Sequence, residues 1–463
     1  MDLLGILNAV IPFSRSAIAH VMDKERQRFA AANPRSAELS RRAGAHLYGG
    51  VPMHWMADWP TPFPLFVDHA QGARFTDVDG HVYTDFCLGD TGTMFGHAPT
   101  PVADAIRAQA TRGYTTMLPG EDAVWVGEEL ARRFGLTYWQ VAATATDANR
   151  YALRWARTIT GRTKILVFDG CYHGTVEETM ARLHEGRTIP RPGQLGSVAD
   201  VARTTVVVEF TDLPELEAAL RTGDIAAVIA EPAMTNIGMV LPDEGFHEAL
   251  RRLTRETGTL LIIDETHTIS TGPGGWTRLH GLEPDIFVLG KPVAGGIPCA
   301  VFGVTPDVAS RMTQARAQAA GDGHGHSGMG TTLSANAFAM HAMRANLKSV
   351  MTDEAYEGMI DLAGYLKADL DQVLTSKGLA WSVTQIGSRC EFQFCPVPPR
   401  TGRQAEAAFC DSLEKCLHLG LLNRGIMITP FHNMMLVCPQ TTRSDIRQLA
   451  SALSAIIDEL NHA

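Results

Sequence analysis

Six short, almost unbroken apolar runs punctuate the middle of the chain: Lys164–Phe168, Thr205–Val208, Ala226–Ala230, Leu260–Ile263, Ile286–Leu289 and Ala300–Val304. Helical stretches separate them. A strand with one wet face alternates apolar and polar residues, whereas a strand covered on both faces reads as a continuous Val/Ile/Leu run. The runs therefore predict an α/β fold with a mostly parallel central sheet covered by helices. The flanks read differently. Residues 1 to about 45 look helical and charged, Gly49–Pro64 is rich in Pro, Trp and Met, and Arg74–Cys87 reads as a hairpin around the turn Asp79-Gly80. Beyond about 345 come a long helical stretch, short strands around Ala380–Phe394, a Pro-rich turn at Pro396–Pro399 and a final helix from Arg443. These ends predict a smaller α+β domain.

Composition removes several classes of function. The 463 residues carry a net charge of −10, which argues against a nucleic-acid or anionic-membrane partner. No apolar stretch reaches the ~18 residues of a membrane helix. Eight cysteines without a CxxC pair suit the reduced thiols of a cytoplasmic protein better than a disulfide framework or a zinc site, and no metal is expected. Leu3–Phe13 is apolar, but Asp2 stands where a signal peptide would have basic residues. An amphipathic helix docking on the body or on a partner subunit is the better reading.

Lysine is scarce, and one lysine stands apart. Lys291 follows the run Ile286–Leu289 directly and precedes Pro292 and the flexible Ala294-Gly295-Gly296. An amine at the end of a buried strand is desolvated, hence more readily neutral and nucleophilic, although a strand-end lysine also snorkels to water. The run Leu260–Ile263 ends in Asp264-Glu265. Open α/β sheets bind ligands at the carboxyl ends of their strands, so Asp264 and Lys291 would converge there, as a buried ion pair or as a functional one. Pyridoxal phosphate needs such a pair: a carboxylate keeping its pyridine nitrogen protonated and an amine on its aldehyde carbon. Thr144-Ala145-Thr146-Asp147-Ala148-Asn149 opens a helix running to about Thr160, where hydroxyls and free N–H groups suit a phosphate or merely cap the helix. Gly170-Cys171-Tyr172-His173-Gly174 follows the strand Lys164–Phe168; Tyr172 there would lie on a flat ring or pack in the core.

The order of these pieces resembles the class III (subgroup II) aminotransferases of PLP fold type I, in the branch that includes glutamate-1-semialdehyde aminomutase. The likeness runs from about Phe63 to the C-terminus. It rests on Thr144–Asn149, Tyr172-His173-Gly174, Glu231-Pro232, Asp264-Glu265, Lys291 at 27 residues from Asp264, and Thr332-Leu333-Ser334-Ala335-Asn336. The resemblance implies pyridoxal 5'-phosphate as cofactor, held as an aldimine on Lys291, with Asp264 on the pyridinium nitrogen. Thr144, Ala145 and Thr146 would hold phosphate, Tyr172 of the Tyr172-His173 turn would stack on the ring, and Glu231 would sit on the substrate side. Thr332 matches a threonine that the partner subunit sends to the phosphate, which implies a homodimer with a shared active site. The implied organisation is an N-terminal arm and small-domain segment over 1–90, a large PLP-binding domain over 91–345 and a C-terminal small domain over 346–463.

Two departures stand out. The phosphate loop has Thr144-Ala145-Thr146-Asp147 where the family usually has Ser-Gly-Thr-Glu, and Thr266-His267 follows Asp264-Glu265 where Val and then Gln or Met are usual. His267 would lie near the cofactor's phenolic oxygen, or simply bond to backbone. The segment that often carries a carboxylate-gripping arginine is here Val51–Trp59, with His54, Trp55 and Trp59 and no arginine. Near the C-terminus His432 or Asn433 would take that role, less strongly than a guanidinium. The expectation is an aminotransferase carrying an amino group from an amino acid or amine, aromatic or apolar as in the similar D-phenylglycine aminotransferase, to a keto acid. The alternative is an intramolecular aminomutase, or a racemase or decarboxylase on the same fold.

Overall fold

The computed structural model describes residues 10–197, 200–320 and 327–463. Two compact units form. The large one takes Thr100–Tyr356 and Pro399–Glu406; the small one takes the chain up to Pro99, Glu357–Pro398 and Ala407–Ala463.

Each apolar run of the sequence is a strand of one seven-stranded sheet in the large unit. In chain order the strands are β1 (Tyr138–Ala142), β2 (Lys164–Phe168), β3 (Thr205–Val208), β4 (Ile225–Ala230), β5 (Leu260–Asp264), β6 (Ile286–Leu289) and β7 (Ala300–Val304), arranged 1-7-6-5-4-2-3. Neighbours from β6 through β5, β4 and β2 to β3 pair in parallel. β7 runs antiparallel to both β6 and β1. Its approach explains why: only residues 290–299 link β6 to β7, too few for the crossover of a dozen or more residues that a parallel neighbour requires. The pleat sorts alternate residues into two cores. Ile165, Val167, Ile229, Ile262 and Val288 face one way and pack with Ala148, Ala152 and Trp155 of the helix α1 (Ala145–Thr160). Leu166, Phe168, Val228, Leu261 and Ile263 face the other way and pack with Leu216, Phe246 and Leu250. Both faces are dry, as the unbroken runs require.

The small unit is α+β. Arg74–Asp77 and Val82–Asp85 form the expected hairpin, and Ile426–Met427 adds to it in parallel. Ser382–Ile386, Arg389–Gln393 and Met434–Leu436 make a second, antiparallel sheet. The last helix, Arg443–His462, starts at a reciprocal cap between Thr442 and Asp445. Of the helix expected over Leu3–Phe13, only the last four residues are described. Residues 1–9 lie outside the described residues, and Val10–Phe13 are not helical. Val10 instead donates its N–H to Phe394 O and accepts from the Trp381 indole, which ties the backbone there to the small unit. The first described helix is Arg15–Ala32, capped by Ser14.

Candidate active site

The carboxyl ends of β5 and β6 set the geometry. In the parallel ladder Asp264 pairs with Val288, so Lys291 begins the turn just beyond the end of the neighbouring strand. Lys291 itself adopts a left-handed backbone, φ 42°, a strained conformation for a side chain of its size and one that clusters at functional sites. Gly290 before it has a packing reason: a Cβ there would lie 2.6 Å from the Ala145 Cβ. The missing side chain lets the end of β6 approach the first turn of α1.

Asp264 is buried and surrounded by donors. His173 Nδ1 lies 3.0 Å from its Oδ2, the Asn149 amide donates to the same oxygen at 2.8 Å, and the Thr266 N–H donates to Oδ1 at 3.1 Å. Burial alone would raise this carboxyl; the hydrogen bond and charge of His173, helped by Thr266 and Asn149, outweigh it and bring it down to about 2. His173 moves in the complementary sense. Burial opposes its charged form, but Cys171 and Asp264 beside it raise the imidazole well above its usual value. The pair is thus a fixed carboxylate facing inward from the sheet. Glu265, next in sequence, points elsewhere: it accepts from the Thr268 hydroxyl at 2.6 Å and the Trp276 N–H at 3.2 Å, tying down the loop that follows. The two acids of Asp264-Glu265 therefore split, one facing the donors His173, Asn149 and Thr266 and one tying down a loop.

The first turn of α1 forms the anion-binding end of the site. The Thr144 hydroxyl caps the helix, accepting from the Asp147 N–H at 3.1 Å and donating to its carboxylate at 2.9 Å. The N–H groups of Ala145 and Thr146 open the helix and have no acceptor within it. Thr146 Oγ1 accepts from the Thr175 N–H at 3.2 Å, and a Cβ on Gly174, at φ 76°, would collide with it. Glycines 174 and 290 thus leave a cradle around the helix start, where free N–H groups and the positive end of the helix dipole suit a phosphate.

The remaining sequence-predicted residues fall into three places. His267 reaches Lys291: its Nε2 lies 2.7 Å from the amine nitrogen. Glu231 is buried at the end of β4, accepting from the Thr235 hydroxyl at 2.6 Å, and burial raises its carboxyl against the lowering charge of His173. Half-buried Tyr172 carries the Arg191 guanidinium 5.5 Å from its ring centre. Thr332 is exposed and lines a surface groove of about 860 Å³ with Met117, Leu118, Trp155 and Phe302. In the small unit, exposed Trp55 meets the Phe431 ring edge-on at 6.5 Å, while His54 is exposed and Trp59 half-buried. His432 is buried, with Nδ1 2.9 Å from Glu391 Oε1; Asn433 is committed between His418 and Glu414.

Sequence reasoning did not single out Asn149 or Thr266 as partners of Asp264. Asn149 carries a usable signal, a polar residue on the otherwise apolar stripe Ala148, Tyr151, Ala152 of α1. Thr266 acts through its backbone N–H, and its hydroxyl accepts from the Gly290 N–H at 3.2 Å, which a residue type does not announce. The donor set suits pyridoxal phosphate: helix N–H groups and a hydroxyl in a glycine-lined cradle for the phosphate, an ionised carboxylate for the pyridine nitrogen, and an amine at the adjacent strand end for the aldehyde. Among the described residues no cluster of three or more His, Cys, Asp or Glu could hold a metal, and no helix is long and apolar enough to cross a membrane.

Comparison with known proteins agrees with this geometry. Residues 55–459 match the family model Aminotransferase class-III. The glutamate-1-semialdehyde 2,1-aminomutase of Desulfitobacterium hafniense (strain DSM 10664 / DCB-2) is 33% identical over 403 residues, 86% of this chain and 91% of that protein. The crystal structure of a glutamate-1-semialdehyde-aminomutase from Pseudomonas aeruginosa PAO1 superposes with a TM-score of 0.95 at 50% identity, covering 97% of this chain and all of that one, and a variant of it was solved in complex with PMP. A β-phenylalanine aminotransferase from Variovorax paradoxus superposes with a TM-score of 0.83 at 26% identity over 95% of this chain and 97% of that one.

Proposed function

This chain belongs to the class III aminotransferase family, with PLP fold type I and pyridoxal 5'-phosphate as its cofactor, and from that premise we propose that it is an aminomutase, moving an amino group between neighbouring carbons of one small substrate. The sequence ranked intermolecular transfer first and this alternative second; the aminomutases among its relatives reverse that order. The observation that carries the proposed chemistry is the placement of Lys291 at the end of β6 beside a carboxylate held ionised on β5.

Bound pyridoxal phosphate supplies an electrophilic aldehyde carbon and a ring that withdraws electrons from the substrate carbon. The chain does the rest. Ala145 and Thr146 bind the phosphate at the start of α1. Asp264, its carboxyl lowered to about 2 and so ionised at neutral pH, would hold a proton at the pyridine nitrogen and keep the ring electron-deficient. His173 and Asn149 aim that carboxylate. Lys291 Nζ would be the nucleophile for the aldehyde carbon and afterwards the base that carries a proton from one carbon to the other. Tyr172 bounds the ring.

We propose a cytoplasmic homodimer. The exposed Thr332, in a groove beside Met117 (81% exposed) and Leu118, supports a partner subunit covering this face and receiving that threonine at its own phosphate. Intermolecular transamination of an aromatic substrate is the second reading, favoured by the likeness to the β-phenylalanine enzyme.

One assay separates the two. The cofactor-loaded protein is given glutamate-1-semialdehyde alone and the product is examined for the isomer whose nitrogen has moved from carbon 2 to carbon 1. Conversion without a keto acid is the expected result, falling by about 10⁴-fold in Lys291→Ala. Turnover of β-phenylalanine that occurs only when a keto acid is supplied would overturn the aminomutase reading in favour of the second.

A further inference from the structure

The contact between Lys291 and His267 has a consequence for how the amine is used. Lys291 Nζ and His267 Nε2 are 2.7 Å apart. His267 is itself immobilised: it is 6% exposed, follows Thr266, whose N–H is tied to Asp264, and gives its carbonyl to the Ser270 N–H. Thr266 in turn holds the Gly290 N–H through its hydroxyl. The imidazole and the backbone that carries Lys291 are therefore fixed by the same residue pair. Either nitrogen can donate: an ammonium to a bare Nε2, or an Nε2–H to a neutral amine. Both arrangements hold the Lys291 nitrogen when it is bonded to nothing else.

We infer that His267 is a docking post for the free Lys291 amine, a positioning residue that stabilises the state in which the lysine is released from the cofactor. In that state an incoming substrate amine has taken the aldehyde carbon, its two hydrogens pass to the departing Lys291 nitrogen, and the freed amine finds a partner at hydrogen-bond distance without water. Once Lys291 is joined to the aldehyde carbon, with loss of one water, its nitrogen carries at most one hydrogen where the released ammonium carries three, so the contact with His267 is weakened. The contact thus favours release over attachment, and it makes the sequence departure at Thr266-His267 part of the release step.

The inference rests on the cofactor assignment above and predicts a difference between two forms of one ligand. Pyridoxal phosphate bonds to Lys291; pyridoxamine phosphate, which has no aldehyde, leaves it free. Replacing His267 removes the docking post from the cofactor-free protein and from the pyridoxamine-phosphate complex alike, but not from the complex in which Lys291 is bonded. In His267→Phe the affinity for pyridoxal phosphate relative to pyridoxamine phosphate should therefore rise about tenfold, the worth of one hydrogen bond to a charged group. His267→Gln, which can still donate and accept, should restore the native ratio to within about twofold. Both dissociation constants are read by equilibrium dialysis, and the pyridoxal phosphate complex also by its visible absorbance. A ratio unchanged in His267→Phe, whether both affinities fall together or neither moves, would overturn the inference. Failure of the native protein to take up either form would instead sink the cofactor assignment.

Discussion

Each unit buries an acid beside a histidine, and the two pairs have opposite ionisation. In the large unit three donors converge on Asp264, and the carboxyl falls to about 2 although it is buried. In the small unit Glu414 receives the Asn433 amide at 3.2 Å and sits near the acids Glu391 and Asp411. Burial dominates there, reinforced by the like charge of Glu391, and the carboxyl rises to about 9. Its neighbour His418 is driven by burial down to about 4, so at neutral pH this Glu and this His are both uncharged. Both clusters pair a buried carboxyl with a buried imidazole. What differs is how many donors point at the acid and what sign of charge stands next to it. A carboxylate meant to hold a proton on a cationic ring needs the first environment; a core polar network tolerates the second.

The sharpest way to break this contrast is Asp264→Asn. The amide is nearly isosteric, but its NH2 would face donors on His173, Asn149 or Thr266, and the charge is gone. We expect kcat/KM to fall by about 10³-fold, within the range for a group stabilising charge as it develops, with the far-UV circular dichroism unchanged. Activity retained to within tenfold would mean that the ionised state of Asp264 has no use.

A smaller effect is expected from His173→Phe, which leaves Asp264 with two donors and no cationic neighbour. Its carboxyl should then protonate at a higher pH. The acid limb of the kcat/KM profile should move upward in pH, with a loss of about tenfold at neutral pH, the worth of one charge-assisted hydrogen bond. An unshifted acid limb would assign the depression of Asp264 to the backbone and Asn149 instead.

The same contrast marks the limit of what the sequence disclosed. Six of the seven strands of the large sheet, the hairpin at Asp79-Gly80, and Asp264 and Lys291 at neighbouring strand ends were legible, because apolar continuity and strand-end position are local properties; Tyr138–Ala142, with alternating polar residues, was not. The direction of β7 was not, since it follows from the ten-residue link after β6 rather than from its own composition. Nor were the partners of Asp264 legible as partners: His173 is 91 residues away and Asn149 is 115. His432 reads in sequence as a substrate ligand, and the fold gives one of its ring nitrogens to Glu391. A residue's type states what it can bond; only the fold states what it does bond, and that choice separates a carboxyl at about 2 from one at about 9.

The last effect, on stability rather than turnover, comes from Glu414→Gln. In the unfolded chain Glu414 ionises near its ordinary value of 4.5; in the fold it keeps its proton to about 9. Between those values the folded state binds one proton more than the unfolded state, so stability falls as pH rises, by up to about 1.4 kcal/mol per pH unit from this group. Below about 4.5 both states are protonated and the group contributes no slope. Asp264 has the reverse sign: its contribution is present above its ordinary value of 3.8 and is lost as pH falls toward about 2. Glutamine copies the neutral acid and cannot ionise in either state. Glu414→Gln should therefore match the native denaturation midpoint near about pH 4.5 and exceed it progressively toward about pH 9. If the native and variant midpoints track each other across that window, Glu414 is ionised in the fold, and the two clusters differ in composition but not in charge.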